Sequence, residues 1–256
     1  MRTRLVLLGW LLLAAQLAAA DENWRSLPLI EDGKVSPDWK HAGWGSMKVE
    51  GDSLATESDE RGLGVFVYTK EKLGNCQVRI VYRPKDAKSN AGAFIRMDDG
   101  ILDWVGKPSI AVRRDDKGKL PPEEIAKMQE ASETDNGAWY AVHHGYEVQM
   151  CDTGDALHRT GAIYSLAPSA YEAPKEFSNN WRTMIITLDG NTVRVEQDGK
   201  LLSTFDPAGK NIPGRKIWHE PRREPVRPAA GYFGLQTHDP GDIVYFKEVS
   251  VRPLVK

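Results

Sequence analysis

The sequence predicts an all-β fold, a sandwich or jelly roll of antiparallel strands, and three observations carry the prediction. Runs rich in Val, Ile, Phe and Tyr recur along the chain, bounded by Gly, Asn, Asp or Pro. Asp189-Gly190-Asn191 lies between two such runs and Asp198-Gly199 follows the second, both hairpin turn signals. Only one segment reads convincingly as a helix.

Taken in order, residues 1–20 read as a secretory leader: Arg2 and Arg4 supply the positive start, Leu5 to Leu13 the apolar run, and Ala18-Ala19-Ala20 the small-residue cleavage site. The apolar run is short for a membrane span, and Asp21 and Glu22 follow it, so no retained anchor is expected. A periplasmic or secreted location follows. The remaining residues, 21–256, suffice for one large all-β domain. Strands are expected at 64–69, 76–82, 92–97, 145–150, 183–188, 192–197, 232–236 and 243–251. Pro121-Pro122-Glu123-Glu124 opens the short helix with proline and acids in its first turn, and Glu123 stands four residues before Lys127. The helix lies inside a polar insertion, 98–140, which is expected to build a rim or lid rather than a core. A second long loop, 206–228, carries five prolines with Lys210, Arg215, Lys216, Arg222, Arg223 and Arg227. It reads as a solvated loop, with anion binding as the alternative.

Composition excludes several function classes. Without Arg2 and Arg4 the chain keeps 32 basic against 36 acidic residues, which argues against nucleic acid as partner. Cys76 and Cys151 could pair in an oxidising compartment, but two small buried hydrophobes are the preferred reading in a chain of this size. No Gly-x-Ser-x-Gly elbow or phosphate-cradling glycine loop is present. His143-His144 invites a metal reading, yet neighbours on a strand point to opposite faces. His158 with Asp152 and Asp155 is a looser set. No metal or cofactor is expected.

The chemistry-bearing residues fall on strand faces. In 145–152, Glu147, Gln149 and Cys151 share one side while Tyr146, Val148 and Met150 share the other. The same parity puts Arg96 beside Gly92 and Phe94, and Gln236 and His238 opposite Phe233 and Leu235. If these strands share a sheet, a carboxylate, an imidazole, a guanidinium and two carboxamides converge on one surface. Such a set suits the vicinal hydroxyls and acid–base chemistry of a sugar. Trp104, Trp139 and Trp218 lie in or beside the long loops, where an indole can stack on a pyranose, whereas Trp39, Trp44 and Trp181 are expected in the core.

The separated motifs Gly43-Trp44 with Val49-Glu50-Gly51, Asn90-Ala91-Gly92-Ala93-Phe94-Ile95-Arg96, Gly145-Tyr146-Glu147-Val148-Gln149, Thr160-Gly161-Ala162-Ile163-Tyr164, Asn180-Trp181 and Gly234-Leu235-Gln236-x-His238 stand in an order that resembles the 3-keto-disaccharide hydrolase domain family. The resemblance covers nearly the whole mature chain. It implies a concanavalin A-like jelly roll of two antiparallel sheets, and hydrolysis of glycosides oxidised at C3 by elimination and hydration. The resemblance carries Glu147, Gln149, Arg96 and His238 into the site; the chemistry makes Glu147 and His238 the candidate catalytic groups and adds Asp152 as a second acid, on the core side by parity unless the strand ends before it. Arg96, Gln149, Gln236, Tyr164 and Asn90 are the candidate substrate contacts. The chain departs from the pattern at Ala91, where a serine is expected, and in the length of the 98–140 insertion. The alternative is a non-catalytic, lectin-like carbohydrate-binding module, since such a fold serves both ends.

Overall fold

A computed structural model of the 256-residue chain describes residues 23–254; the leader expected at 1–20 lies outside the described residues. The N-terminal strands are β1 (Arg25–Ser26), β2 (Ile30–Glu31), β3 (Lys34–Val35), β4 (Trp39–Gly43), β5 (Ser46–Glu50) and β6 (Ser53–Glu57). Longer strands follow: β7 (Gly64–Leu73), β8 (Cys76–Pro84) and β9 (Asn90–Met97). A 3-10 turn (Asp99–Trp104), helix α1 (Pro122–Glu133) and helix α2 (Trp139–His144) then lead to β10 (Tyr146–Cys151). The chain closes with β11 (Arg182–Asp189), β12 (Thr192–Gln197), β13 (Lys200–Phe205), β14 (Gly231–Thr237) and β15 (Val244–Pro253).

Two antiparallel sheets face each other, the jelly-roll sandwich expected from the turn pattern. One runs β13-β12-β11-β8-β15-β6-β5 with β1 added to β15, and the other runs β10-β9-β14-β7-β4. Every strand run expected from the sequence is present. The strands β1 to β6 and β13 are short or lack a sustained Val, Ile and aromatic pattern, so the sequence does not announce them.

Strand β7 shows how one sequence supplies two apolar layers. Phe66 and Tyr68 enter the layer between the sheets with Trp39, Ile80, Phe233 and Phe246, while Val65 and Val67 face the other way. That outward face is covered by Ile101 and Ala138 of the insertion and by Ala141 and Val142 just after it in α2. The insertion therefore builds more than a rim; it closes a second core over one part of the five-stranded sheet. Burying a Val or Ile side chain contributes about 1.5–3 kcal/mol, so Ile101 and Val142 help anchor this cover on the sheet. Trp39 is core as expected, stacked 5.2 Å from Phe66. Trp181 is not: it lies exposed, with Arg83 and Lys247 over its ring.

Candidate active site

The uncovered part of the outward face is the floor of a cavity of about 520 Å³, within the range of small-ligand sites. Register brings its floor together. Glu147 of β10 pairs with Phe94 of β9, Gln149 pairs with Gly92, and Cys151 with Asn90. On the other side of β9, Gly234 of β14 pairs with Phe94 and Leu235 with Ala93, so Gln236 falls level with Gly92. Glu147, Gln149, Asn90, Gln236 and His238 all line the cavity. They do not form a solvated strand face: Glu147, Gln149 and Gln236 are all buried.

Glycine at 92 makes this arrangement possible. A Cβ there would stand 2.3 Å from Glu147 Oε1 and 2.8 Å from its Cγ, so the glutamate side chain lies across bare backbone, in the cavity that Gln236 also lines. Gln149 Nε2 donates to Asn90 Oδ1 at 2.7 Å. The carboxamide oxygens of Gln149 and Gln236 are buried without a hydrogen-bond partner. Each such orphan acceptor costs about 1–3 kcal/mol, which a ligand hydroxyl would recover.

The electrostatics set two titrating groups side by side. Burial pushes the Glu147 carboxyl up to about 7, against the pull of the nearby His238 charge and the Gln236 hydrogen bond. Burial alone would lower His238, but its Nδ1 meets Asp242 Oδ2 at 2.8 Å, and that bond with the charges of Asp239, Asp242 and Glu147 raises the imidazole above its ordinary value. Tyr164 reaches the same cavity because the segment after β10 doubles back along it: Gln149 N donates to Ala162 O at 3.0 Å and Tyr164 N to Glu147 O at 2.9 Å. Burial, with Glu147 beside it, raises the Tyr164 phenol, which stays protonated throughout the neutral range. His158 stands against the Tyr164 ring at 5.0 Å and is tied to Asp155 Oδ1 (2.8 Å) and Ser165 Oγ (2.9 Å). It lines the cavity, although in sequence it reads only as part of a loose set with Asp152 and Asp155; its signal is its place between Asp155 and the Tyr164 motif.

The chain is similar, over residues 23–252, to the 3-keto-alpha-glucoside-1,2-lyase-like domain. It belongs to that family. Among solved structures it resembles two provisionally assigned glycosyl hydrolases from Parabacteroides distasonis. One is 17% identical with TM-score 0.54, covering 90% of this chain and 99% of that one; the other is 15% identical with TM-score 0.56, covering 93% and 97%. A Bacillus subtilis protein with a galectin-like fold is 13% identical, with TM-score 0.52 over 91% of this chain and 99% of that one. At these identities the likeness concerns the fold. No protein of curated function matches.

Two residues expected at the site of this lyase-like family member lie elsewhere. Arg96 has φ 56°, and the β14–β9 register shifts beside it, between Tyr232 and Gly234. Such an irregularity breaks strand alternation. Met97 packs in the outward core in its place, while the buried Arg96 guanidinium donates to the Gly190 carbonyl at the β11–β12 turn. Asp152 lies just past the end of β10 and is gripped by Arg182, Nη1 to Oδ1 at 2.6 Å and Nη2 to Oδ2 at 2.7 Å, with the Tyr171 hydroxyl at 2.9 Å. Both its oxygens are engaged away from the cavity lining.

Other expectations are redrawn as well. His143 and His144 sit on helix α2, not on a strand. Burial lowers His143 to about 4, so the neutral ring accepts from Arg222 N at Nδ1 and donates to Ser132 Oγ, 2.9 Å away. His144 lies between Asp98 and Asp135. Arg215, Arg222, Arg223 and Arg227 of the basic loop donate to backbone carbonyls and carboxylates that pin the loop. Both cysteines are free and buried, the reading preferred from the sequence, Cys76 at the start of β8 and Cys151 lining the cavity. Among the described residues no cluster of three or more His, Cys, Asp or Glu is placed to hold a metal ion.

Proposed function

We propose that this protein cleaves glycosides whose sugar carries a ketone at C3, by proton abstraction and elimination followed by hydration. The observation that carries the reading is the pairing of Glu147, held near neutrality by burial, with the Asp242-bound His238 in one cavity beside two unpartnered carboxamide oxygens. Family membership supports the same reading.

The ketone acidifies the proton on C2. Glu147, ionised, takes that proton, and the electron pair builds an enolate whose C3 oxygen accepts from the protonated Tyr164 hydroxyl. The enolate then collapses: the C3 carbonyl reforms, a C1–C2 double bond forms and the C1–O bond breaks. The leaving oxygen receives a proton from the His238 imidazolium. In the return step water adds to C1 and gives its proton to His238, while Glu147 returns its proton to C2. One water is consumed and both groups regain their starting states. Gln149, Gln236 and Asn90 hold the sugar hydroxyls.

Incubating the mature protein with a 3-keto-disaccharide and with its unoxidised parent tests this. Release of monosaccharide from the keto compound alone is the expected result. Binding of either without cleavage would make the protein a carbohydrate-binding module, and neither binding nor cleavage would remove both readings.

A further inference from the structure

The cavity is chemically lopsided. Its strands carry the carboxylate and carboxamides described above, and the segment after β10 adds Thr153, His158 and Tyr164, whereas the helices and the 206–228 loop contribute Met128, Trp139, Val142, Trp218 and His219, an apolar wall with Leu63. That wall is built rigidly. Trp139 and Val142 come from α2, which rests on the second core. The Trp139 and Trp218 rings meet at 5.5 Å, tilted by 59°. Trp218 sits in a long loop, yet its carbonyl accepts from Ser132 Oγ at 2.8 Å and from Arg215 Nη2 at 2.5 Å. Ser132 is fixed in turn by the buried His143, whose other nitrogen accepts from Arg222 N at 3.2 Å.

We infer that this wall is the subsite for the leaving group and that it takes an aromatic or otherwise apolar aglycone in preference to a second sugar. Which half of the cavity holds the oxidised sugar rests on the proposed function above. A sugar stacks one face on an indole, but its edge hydroxyls still need partners once water is excluded. Met128, Trp139, Val142, Trp218, His219 and Leu63 have no carboxylate, carboxamide or hydroxyl to offer them; their polar atoms are two indole N–H groups and one imidazole, and the hydroxyls and carboxylate of Thr153, Tyr164 and Asp239 come from other segments of the lining. A planar aglycone meets Met128, Val142 and both indoles with no polar group left unpaired. Because the wall is braced from behind, it cannot turn a polar group inward to suit a second sugar.

The test compares two ligands with the same 3-keto-glucosyl group, one a phenethyl glycoside and one a disaccharide, so that both leaving oxygens are alcohols. Calorimetric binding to Glu147→Gln should favour the phenethyl compound by about tenfold or more, the worth of a ring packed on an aromatic wall. Met128→Asn and Trp218→Phe, each added to that variant, should shrink the preference; Trp218→Ala should erase it if it folds. Equal or tighter binding of the disaccharide, or a preference unmoved by Met128→Asn and Trp218→Phe, overturns the inference. Turnover of the two compounds by the wild-type protein reports separately on the elimination reading: cleavage of neither ends that reading, while the binding ratio still decides the nature of the wall.

Discussion

The carboxylate of Glu147 lies over the backbone of Gly92 on the neighbouring strand, with Oε1 only 2.3 Å from the point a Cβ would occupy. Two residues far apart in the chain are thereby locked into one requirement: a flat glutamate needs a bare partner. Gly92→Ala should therefore push the carboxylate from its place over the backbone and lower kcat/KM by at least tenfold, since misplacement of a proton-transfer group by about 1 Å costs up to 10²-fold. Circular dichroism should remain that of the wild type. Unchanged kinetics would show that the place of Glu147 over Gly92 does not matter to the mechanism.

Glu147→Gln should abolish turnover of 3-keto substrates while leaving their binding measurable. Retained activity would exclude Glu147 as the base.

The pH profile of kcat/KM should be bell-shaped around neutrality, because Glu147 must be ionised and His238 protonated. Glu147 rises to about 7 from burial, so its base form is lost on the acid side. Since the two groups interact, the limbs report the pair. Asp242→Asn removes the hydrogen bond that raises His238, so the alkaline limb should move to lower pH. A limb that stays in place would exclude His238 as the acid.

Stability should change with pH in a defined sense. Folding raises Glu147 from 4.5 to about 7, so the folded state favours its protonated form. The stabilisation tied to this group is whole below about pH 4.5 and fades as the pH rises through 7. His238, also raised, fades in the same direction above its ordinary 6.5. Glu147→Gln should flatten the decline of Tm between pH 5 and 8; an identical slope in both proteins would refute the burial argument.

Asp152→Ala should act on stability. It strands the Arg182 guanidinium beside Tyr171, and breaking a buried ion pair costs about 3–5 kcal/mol. Urea unfolding should show that loss, and kcat of the folded fraction should stay within about twofold of wild type, as for a group without contact to substrate. A large fall in kcat with normal stability would return Asp152 to the site.

Much of the site was legible because strand parity is a local rule. Glu147 and Gln149, and likewise Gln236 and His238, needed only the period of two to be set on one face, and the facing of Val148 and Leu235 into the core follows from the same rule. Arg96 obeyed that rule in sequence and broke it in the fold. Its left-handed φ comes from the β14–β9 irregularity, which depends on how two distant strands meet. The same holds for Trp218: nothing in a proline-rich loop announces that Ser132 and Arg215 will hold its carbonyl and set its ring against Trp139.

By itself the sequence determined what alternation, turn chemistry and motif order can express: an antiparallel sandwich, the face of each polar strand residue, and membership of a family. These are short-range properties, encoded within a few residues of each position. Tertiary structure alone decided that Asp152 serves Arg182 and Arg96 the turn at Gly190, and that an insertion expected as a rim packs a second core and brings Met128 and Trp139 into the cavity that holds Glu147. Those outcomes depend on which distant surfaces meet and exclude water, and neither burial nor the pKa shift it imposes on Glu147 exists until they do.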